Sequence, residues 1–281
     1  MSSRSCLFIV ILMLSISVFA QDSITVVERP QKIKDAMAQR GMQDQAAPTL
    51  KISAPTEGAK ITGSTVKLKL DLGGDLKGYH PHKDPATNTG NHIHVILDNQ
   101  PYEAHYNLAT GFELKNVATG KHTIRVFASR PWHESYKNNG SFQMVTFTVA
   151  GGGDSSKPTT ASGQVMAEGK EYAAASQAGA VNRKKPLLTY SRPKGEYKGA
   201  DPIMLDFWLS NAKLAGDGGK YKVRYSIDGG TAKMIEKWEP VWIDGMSNGK
   251  HKITLELIDQ KGSVVDNGGY NSTSHEISVV K

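Results

Sequence analysis

The residues in this chain best suited to chemistry are histidines. His80, His82, His92, His94, His105 and His133 stand within a window of 54 residues. Neutral imidazole suits Zn(II), Cu(II) and Ni(II), and three histidines with an open fourth position make a known type of catalytic zinc site. Residues two apart on a strand share a face roughly 6.5 to 7 Å apart, and directly opposed cross-strand residues have Cβ atoms about 4.5 to 5.5 Å apart. The stretch His92 to Asn107, HIHVILDNQPYEAHYN, has the period-two pattern of such a hairpin. Taking Asn99-Gln100 as a two-residue turn makes paired positions sum to 199, which puts His94 opposite His105. Tyr102, Ala104 and Tyr106 then join Ile93, Val95 and Leu97 on the core face, and the histidines face outward.

His92, His94 and His105 are therefore candidate ligands on one face. His80 and His82, in the loop GYHPHKDPATNTGN, could fold over that face, and Asp84 could add an oxygen ligand. Zn or Cu is the metal such a set would hold, with binding expected to weaken below about pH 6.5, where free histidine protonates. His133, in RPWHESY, reaches the face only if its loop folds inward. Glu103 lies outward in this register, where a carboxylate base for a metal-activated water would sit. The same histidines equally suit the polar outer face of an ordinary sheet, or a polar ligand such as a glycan or an anionic headgroup.

The elements that must position these residues are strands. With 281 residues, 38% hydrophobic and 22% charged, the chain has material for two domains of about 100 residues each. Residues 1–20 carry Arg4, the apolar run Leu7 to Leu14 and the small-residue end Val18-Phe19-Ala20, the pattern of a secretory signal cleaved after Ala20. An uncleaved anchor is the alternative, although Ser15 and Ser17 interrupt the run short of the ~20 residues a spanning helix needs. Cys6 is the only cysteine and lies inside that signal, so the mature chain is expected to lack thiols, disulfides and a transmembrane segment. Residues 21–47 read as an arm, loosely held, with a short helix in PQKIKDAMAQR that has proline in its first turn and Gly41 after its end. Residues 48–150 and 186–281 are strand-rich. Between them 151–185, rich in Gly, Ser, Ala and Thr, reads as a flexible linker that leaves the interdomain angle unfixed.

The two strand-rich regions look like copies of one module. Val66, Leu68, Leu70 and Leu72 match Ile203, Leu205, Phe207 and Leu209. Ile93, Val95 and Leu97 match Val223, Tyr225 and Ile227, and Gly120-Lys121-His122 recurs as Gly249-Lys250-His251. At this last motif the chain resembles the immunoglobulin-like and fibronectin type III-like modules of secreted bacterial proteins, whose penultimate strand opens with Gly, one residue, an aromatic and then alternating apolars. The resemblance covers nearly all of both regions and implies two tandem Ig-like β-sandwich domains, an all-β fold. In such sandwiches a tyrosine near the start of that strand bonds back to the preceding corner. His122 and His251 stand in its place and are expected to make the same kind of bond. His80, His82, His92, His94, His105 and His133 have no counterpart in the second copy, where the strand carries Lys222 and Arg224.

Several functions are disfavoured by pattern. The net charge of +7 is scattered among acids, with Arg183-Lys184-Lys185 the only basic run, which argues against a nucleic-acid groove. HExxH, P-loop and GxGxxG motifs are all missing. Trp208, Trp238 and Trp242 could form a sugar platform, although packing in the core or between domains suits them better. The leading expectation is an exported binding or interaction protein, periplasmic or extracellular and non-enzymatic, with a divalent transition-metal site on the first domain. A carbohydrate-binding accessory protein and a metal-dependent enzyme are the alternatives, and a metal, a glycan or an envelope protein the expected partners.

Overall fold

In the computed structural model, which describes residues 24–161, 163–166 and 181–281, the alternating apolar runs form strands whose alternate side chains fill two cores. The arm contributes β1 (Thr25–Val27) and α1 (Gln31–Arg40). The first sandwich follows with β2 (Ala47–Ala54), β3 (Lys60–Thr62), β4 (Val66–Asp75), β5 (His92–Leu97), β6 (Glu103–His105), β7 (Phe112–Lys115), β8 (Gly120–Ser129), β9 (Phe142–Ala150) and β10 (Thr159–Thr160). The second has β11 (Leu187–Arg192), β12 (Gly195–Lys198), β13 (Ile203–Ser210), β14 (Lys222–Ile227), β15 (Lys233–Ile235), β16 (Val241–Asp244), β17 (Gly249–Ile258) and β18 (Ser272–Val280). Among the described residues no helix is long and apolar enough to cross a membrane. The proposed signal over 1–20 lies outside the described residues.

The sheet orders show the duplication directly. One sandwich pairs β10-β7-β4-β2 with β3-β9-β8-β5-β6, and the other pairs β1-β16-β13-β11 with β12-β18-β17-β14-β15. Strand by strand the order is the same, including the parallel pairings of β3 with β9 and β12 with β18. The copies differ in what closes the free edge of the four-stranded sheet. In the first it is β10, from the segment expected to be linker, with Met166 packed into the same core. In the second it is β1, from the arm. The glycine- and serine-rich composition of 151–166 thus concealed a strand, and residues 167–180 lie outside the described residues.

The arm is not loosely held. Ile33 on α1 packs with Met204 and Trp242 of the second sandwich, while Arg29 pairs with Glu134, Arg40 donates to the Tyr136 hydroxyl and Arg130 donates to Asp44, all toward the first. Proline before the helix and Gly41 at its end, in the left-handed region at φ 52°, bound it as the sequence implies.

The sandwiches are docked face to face, so their mutual angle is not free. Ile93, Val95 and Leu97 of β5 enter the first core, and Ile203, Leu205, Phe207 and Leu209 of β13 enter the second. Their outward neighbours meet each other: Ile96, Tyr102 and Phe127 pack on Trp208, which stacks on Phe142 with ring centroids 5.4 Å apart. Buried polar pairs cross the same layer. Arg125 donates to Thr189 Oγ1 at 2.9 Å, and Asp206 accepts from Ser135 Oγ at 2.8 Å and from Lys137 Nζ at 2.7 Å. Every residue of β5 is buried because a sheet covers each of its faces.

Candidate functional site

The hairpin register differs by one from the expected one. Ile93 pairs with His105, His94 with Ala104 and Val95 with Glu103, so partners sum to 198. The connection is three residues, Asp98 to Gln100, with Gln100 N–H bonded to the Leu97 carbonyl and Asp98 at φ 52°. A one-residue change moves every β6 side chain to the other face. His105 therefore lies on the Ile93 and Val95 side against Phe112, ring centroids 4.8 Å apart, and is separated from His92 and His94 by the strand itself. Glu103 goes with it and pairs with Lys194 at 3.3 Å. Tyr102, Ala104 and Tyr106 take the histidine face instead of the core face.

The cause is Asp98. Its carboxylate accepts from the Thr123 N–H and from the His122 ring, each at 2.9 Å, tying the turn to the start of β8. The other His122 nitrogen donates to the Ala118 carbonyl at 2.9 Å, the corner bond that the resemblance implied. Asp228, also at φ 52°, repeats the arrangement with His251, Lys252 N–H and the Ser247 carbonyl. Both partners of His122 are acceptors, so the ring donates from both nitrogens as an imidazolium. Burial pulls its pKa down, but the Asp98 hydrogen bond and charge more than offset this and leave it raised.

On the other face His92 and His94 meet a third histidine, His133. The His94 and His92 Nε2 atoms are 2.9 Å apart, His133 Nδ1 is 2.9 Å from His92 Nε2, and the three donor atoms all lie within 4.8 Å of one another. His133 reaches the site because the turn after β8 folds inward. There Arg130 N–H bonds the Glu134 carbonyl and His133 N–H bonds the Arg130 carbonyl, both at 2.9 Å. The second copy has the same turn, with Asp259 N–H on the Ser263 carbonyl and Gly262 N–H on the Asp259 carbonyl. Gly262 sits at φ 80°, His133 at φ 70°. The position calls for the left-handed region, where glycine is unstrained and a histidine is uncommon. Where the copy has Lys222, Arg224 and Gly262, this sandwich has His92, His94 and His133.

The surroundings fix the rings. His92 Nδ1–H donates to the Gly90 carbonyl at 2.8 Å, which leaves its Nε2 lone pair facing the cluster. His94 Nδ1 lies 3.2 Å from Ser191 Oγ, a hydroxyl that can give or take the proton, so the Nε2 of His94 is free to be a lone pair as well. Such outer hydrogen bonds orient ligand histidines. Tyr102 stacks flat on His94 with centroids 3.6 Å apart, and Tyr106 lies 5.0 Å from His92. Burial lowers the His92 pKa to about 4 and holds His94 and His133 well below the ordinary value, with nearby Arg192 adding to the shift. All three are neutral at pH 7, which is the ligand form. A tetrahedral ion with Zn–N of about 2.0 to 2.1 Å needs nitrogens roughly 3.3 Å apart, so each of the two 2.9 Å contacts to His92 Nε2 would open by a few tenths of an ångström.

His80 and His82 are exposed on their loop, rings 6.0 Å apart, and are not part of this cluster. The loop turns back on itself through Asp84 N–H to the Thr89 carbonyl, and Asp84 Oδ1 accepts from Ala86 N–H at 2.7 Å, which uses that carboxylate within the loop. Trp208 and Trp242 are buried, and Trp238 stands edge-on to Trp208, its Nε1 donating to the Phe207 carbonyl. These tryptophans form packing and not an open platform.

No family model and no curated protein matches the chain. Solved structures similar to it include the fibronectin(III)-like modules of Clostridium thermocellum CbhA, 12% identical over 83% of this chain and 94% of that chain, with a TM-score of 0.27. The CARDB domain of PF1109 from Pyrococcus furiosus, in complex with di-metal ions, is 16% identical over 36% of this chain and 92% of that one, TM-score 0.25. Domains 4 and 5 of the S-layer protein SbsC are 12% identical over 84% and 98%, TM-score 0.20. Likenesses at this level concern the β-sandwich fold, and the site is read from its own residues.

Proposed function

We propose that the protein is an exported, non-enzymatic binding module whose first sandwich holds one divalent transition-metal ion, Zn(II) or Cu(II), on His92, His94 and His133. The observation that carries the reading is His133: a left-handed backbone position that the duplicate fills with glycine is here given to an imidazole aimed at His92. A residue in that region stores on the order of 1 kcal/mol or more of strain, which scaffolding alone does not require. Burial then keeps the three rings neutral, and hydrogen bonds to the Gly90 carbonyl and with the Ser191 hydroxyl orient two of them. In this reading His105, His80 and His82 are not ligands. The surface-exposed sheet expected from the sequence is replaced by a site walled in by the second sandwich.

The test is metal titration of the chain purified without an affinity histidine tag, by calorimetry and elemental analysis. His133→Gly restores the residue that the second copy uses, so it should fold at least as stably as the parent and lose most of its metal affinity. His105→Ala should leave affinity intact. One-to-one binding that survives both His92→Ala and His133→Gly would sink the reading.

A further inference from the structure

A metal on these three histidines would sit in positive surroundings. No Asp or Glu belongs to the cluster among the described residues. Arg192, from the last position of β11, donates to the Tyr102 hydroxyl at 2.8 Å, and the Tyr102 ring lies flat on His94, so the guanidinium is one phenol ring away from a ligand. Its Nε is buried without a hydrogen-bond partner. Lys194 Nζ lies 4.8 Å from the Tyr102 ring centroid, and Lys83 Nζ lies 5.7 Å from the centroid of Tyr106, on the ring that flanks His92. The Glu103 carboxylate is on the opposite face of its strand and is already paired with Lys194, and that of Glu134, next to His133, is held by Arg29 and the Trp132 indole N–H. Three neutral ligands leave the full charge of a divalent ion uncompensated beside Arg192, and uncompensated charge away from water is costly.

We propose that the metal's fourth, exchangeable position takes a small anion, gathered by Arg192 with Lys194 and Lys83 on the approach. The inference rests on the metal reading above. It assigns the second sandwich a role in the site: the first supplies all three ligands, and the second supplies, through Arg192 and Lys194, the charge that selects what completes the coordination. The Tyr102 and Tyr106 rings lie against His94 and His92, so the ligand proposed is a small one. A neutral donor gains nothing from the cations, which gives the proposal a handle.

The experiment uses the full chain loaded with one equivalent of Cu(II), titrated separately with azide and with imidazole and followed by charge-transfer absorption and electron paramagnetic resonance. Azide should bind, and Arg192→Gln should weaken it about tenfold or more, the order expected for removing a unit charge at close range in a low-dielectric site. Imidazole affinity should stay level or rise. Because Arg192 also bridges the sandwiches, Lys83→Gln, on an exposed loop, provides a second arm and should weaken azide by a smaller factor with the fold undisturbed. Copper bound one-to-one with azide affinity equal in parent, Arg192→Gln and Lys83→Gln overturns the anion proposal and leaves the metal site standing. Failure to bind copper, or binding unaffected by loss of His92 and His133, overturns both.

Discussion

The duplicated corner offers an internal comparison in which one hydrogen-bond motif occurs at two burials. In the first sandwich the His122 and Asp98 side chains are 3% and 1% exposed, and in the second those of His251 and Asp228 are 8% and 47% exposed. Removing His122 leaves the Asp98 carboxylate buried, with the Thr123 N–H at 2.9 Å and the Tyr270 hydroxyl at 3.4 Å as the donors that remain to it. Breaking a buried charge pair from one side costs about 3 to 5 kcal/mol, and those donors place His122→Ala near the lower end, about 3 kcal/mol. His251→Ala leaves a carboxylate that water can reach, so its cost is that of an ordinary hydrogen bond, about 1 kcal/mol. Urea denaturation followed by circular dichroism should show the gap. At about 2 to 4 °C per kcal/mol for a chain of this size, thermal melting should show it as well. Asp98→Asn in the His122→Ala background should recover part of the loss, because the stranded charge is gone. The sign of the pH dependence follows from the raised pKa of His122. Its contribution is fully present below the unfolded value of about 6.5 and is lost as pH rises through the folded value. The penalty for His122→Ala should thus be larger at pH 6 than at pH 9. Equal losses at the two corners, or a penalty that grows with pH, would refute the reasoning.

Other outcomes follow from the same structure. Burial lowers the His275 pKa to about 4, so the stability it contributes is present above the unfolded value near 6.5 and lost as pH falls toward 4; melting temperature should decline across that window and His275→Gln should flatten the decline. A profile that is flat from pH 6.5 to 4 would count against a neutral buried ring. Metal affinity should hold well below pH 6.5 and fail toward pH 4, because His92 in the folded chain titrates near 4; half-loss at pH 6.5 in a calorimetric series would show that the site is open to water. A protease site engineered between residues 167 and 180 should yield two fragments that elute together on a sizing column, and Trp208→Ala, at about 3 to 5 kcal/mol, should let them separate.

Much of the fold was legible because its signals are local. Period-two alternation marked β4, β5, β13 and β14, and the repeated Gly-Lys-His marked the corners. What misled was a turn in which the aspartate side chain, and not the backbone, sets the length. Asp98 and Asp228 look like ordinary turn residues until their carboxylates are seen capping β8 and β17. That one residue moved His105 off the site and Tyr102 onto it. The docking of the sandwiches could not be read either, since Met204, Asp206 and Trp208 have the parity of an outer face and only the partner sheet shows that the face is covered. His133 did carry a signal: aligning RPWHESY with DQKGSVV sets it against Gly262, and a histidine where the duplicate keeps glycine marks a position with a demand beyond the turn itself.

Because β1 pairs with β16 while β2 to β10 lie between β1 and β11 in the chain, the second unit is discontinuous, made of residues 24–27 and 187–281. The first sandwich is in effect an insertion in the second, attached to it at both ends. Two attachments confine an inserted module far more than one, and they keep its histidine face at high effective concentration opposite β11 even if the later connection is cut. The closing pair, Val26 with Ile243, is also among the most sequence-distant in the molecule, and the entropy of closing such a span grows only slowly with its length. During synthesis the earliest described strand waits for nearly the last. Among the described residues the insert has all of its strands by residue 160, whereas its host is complete only when β1 has met β16.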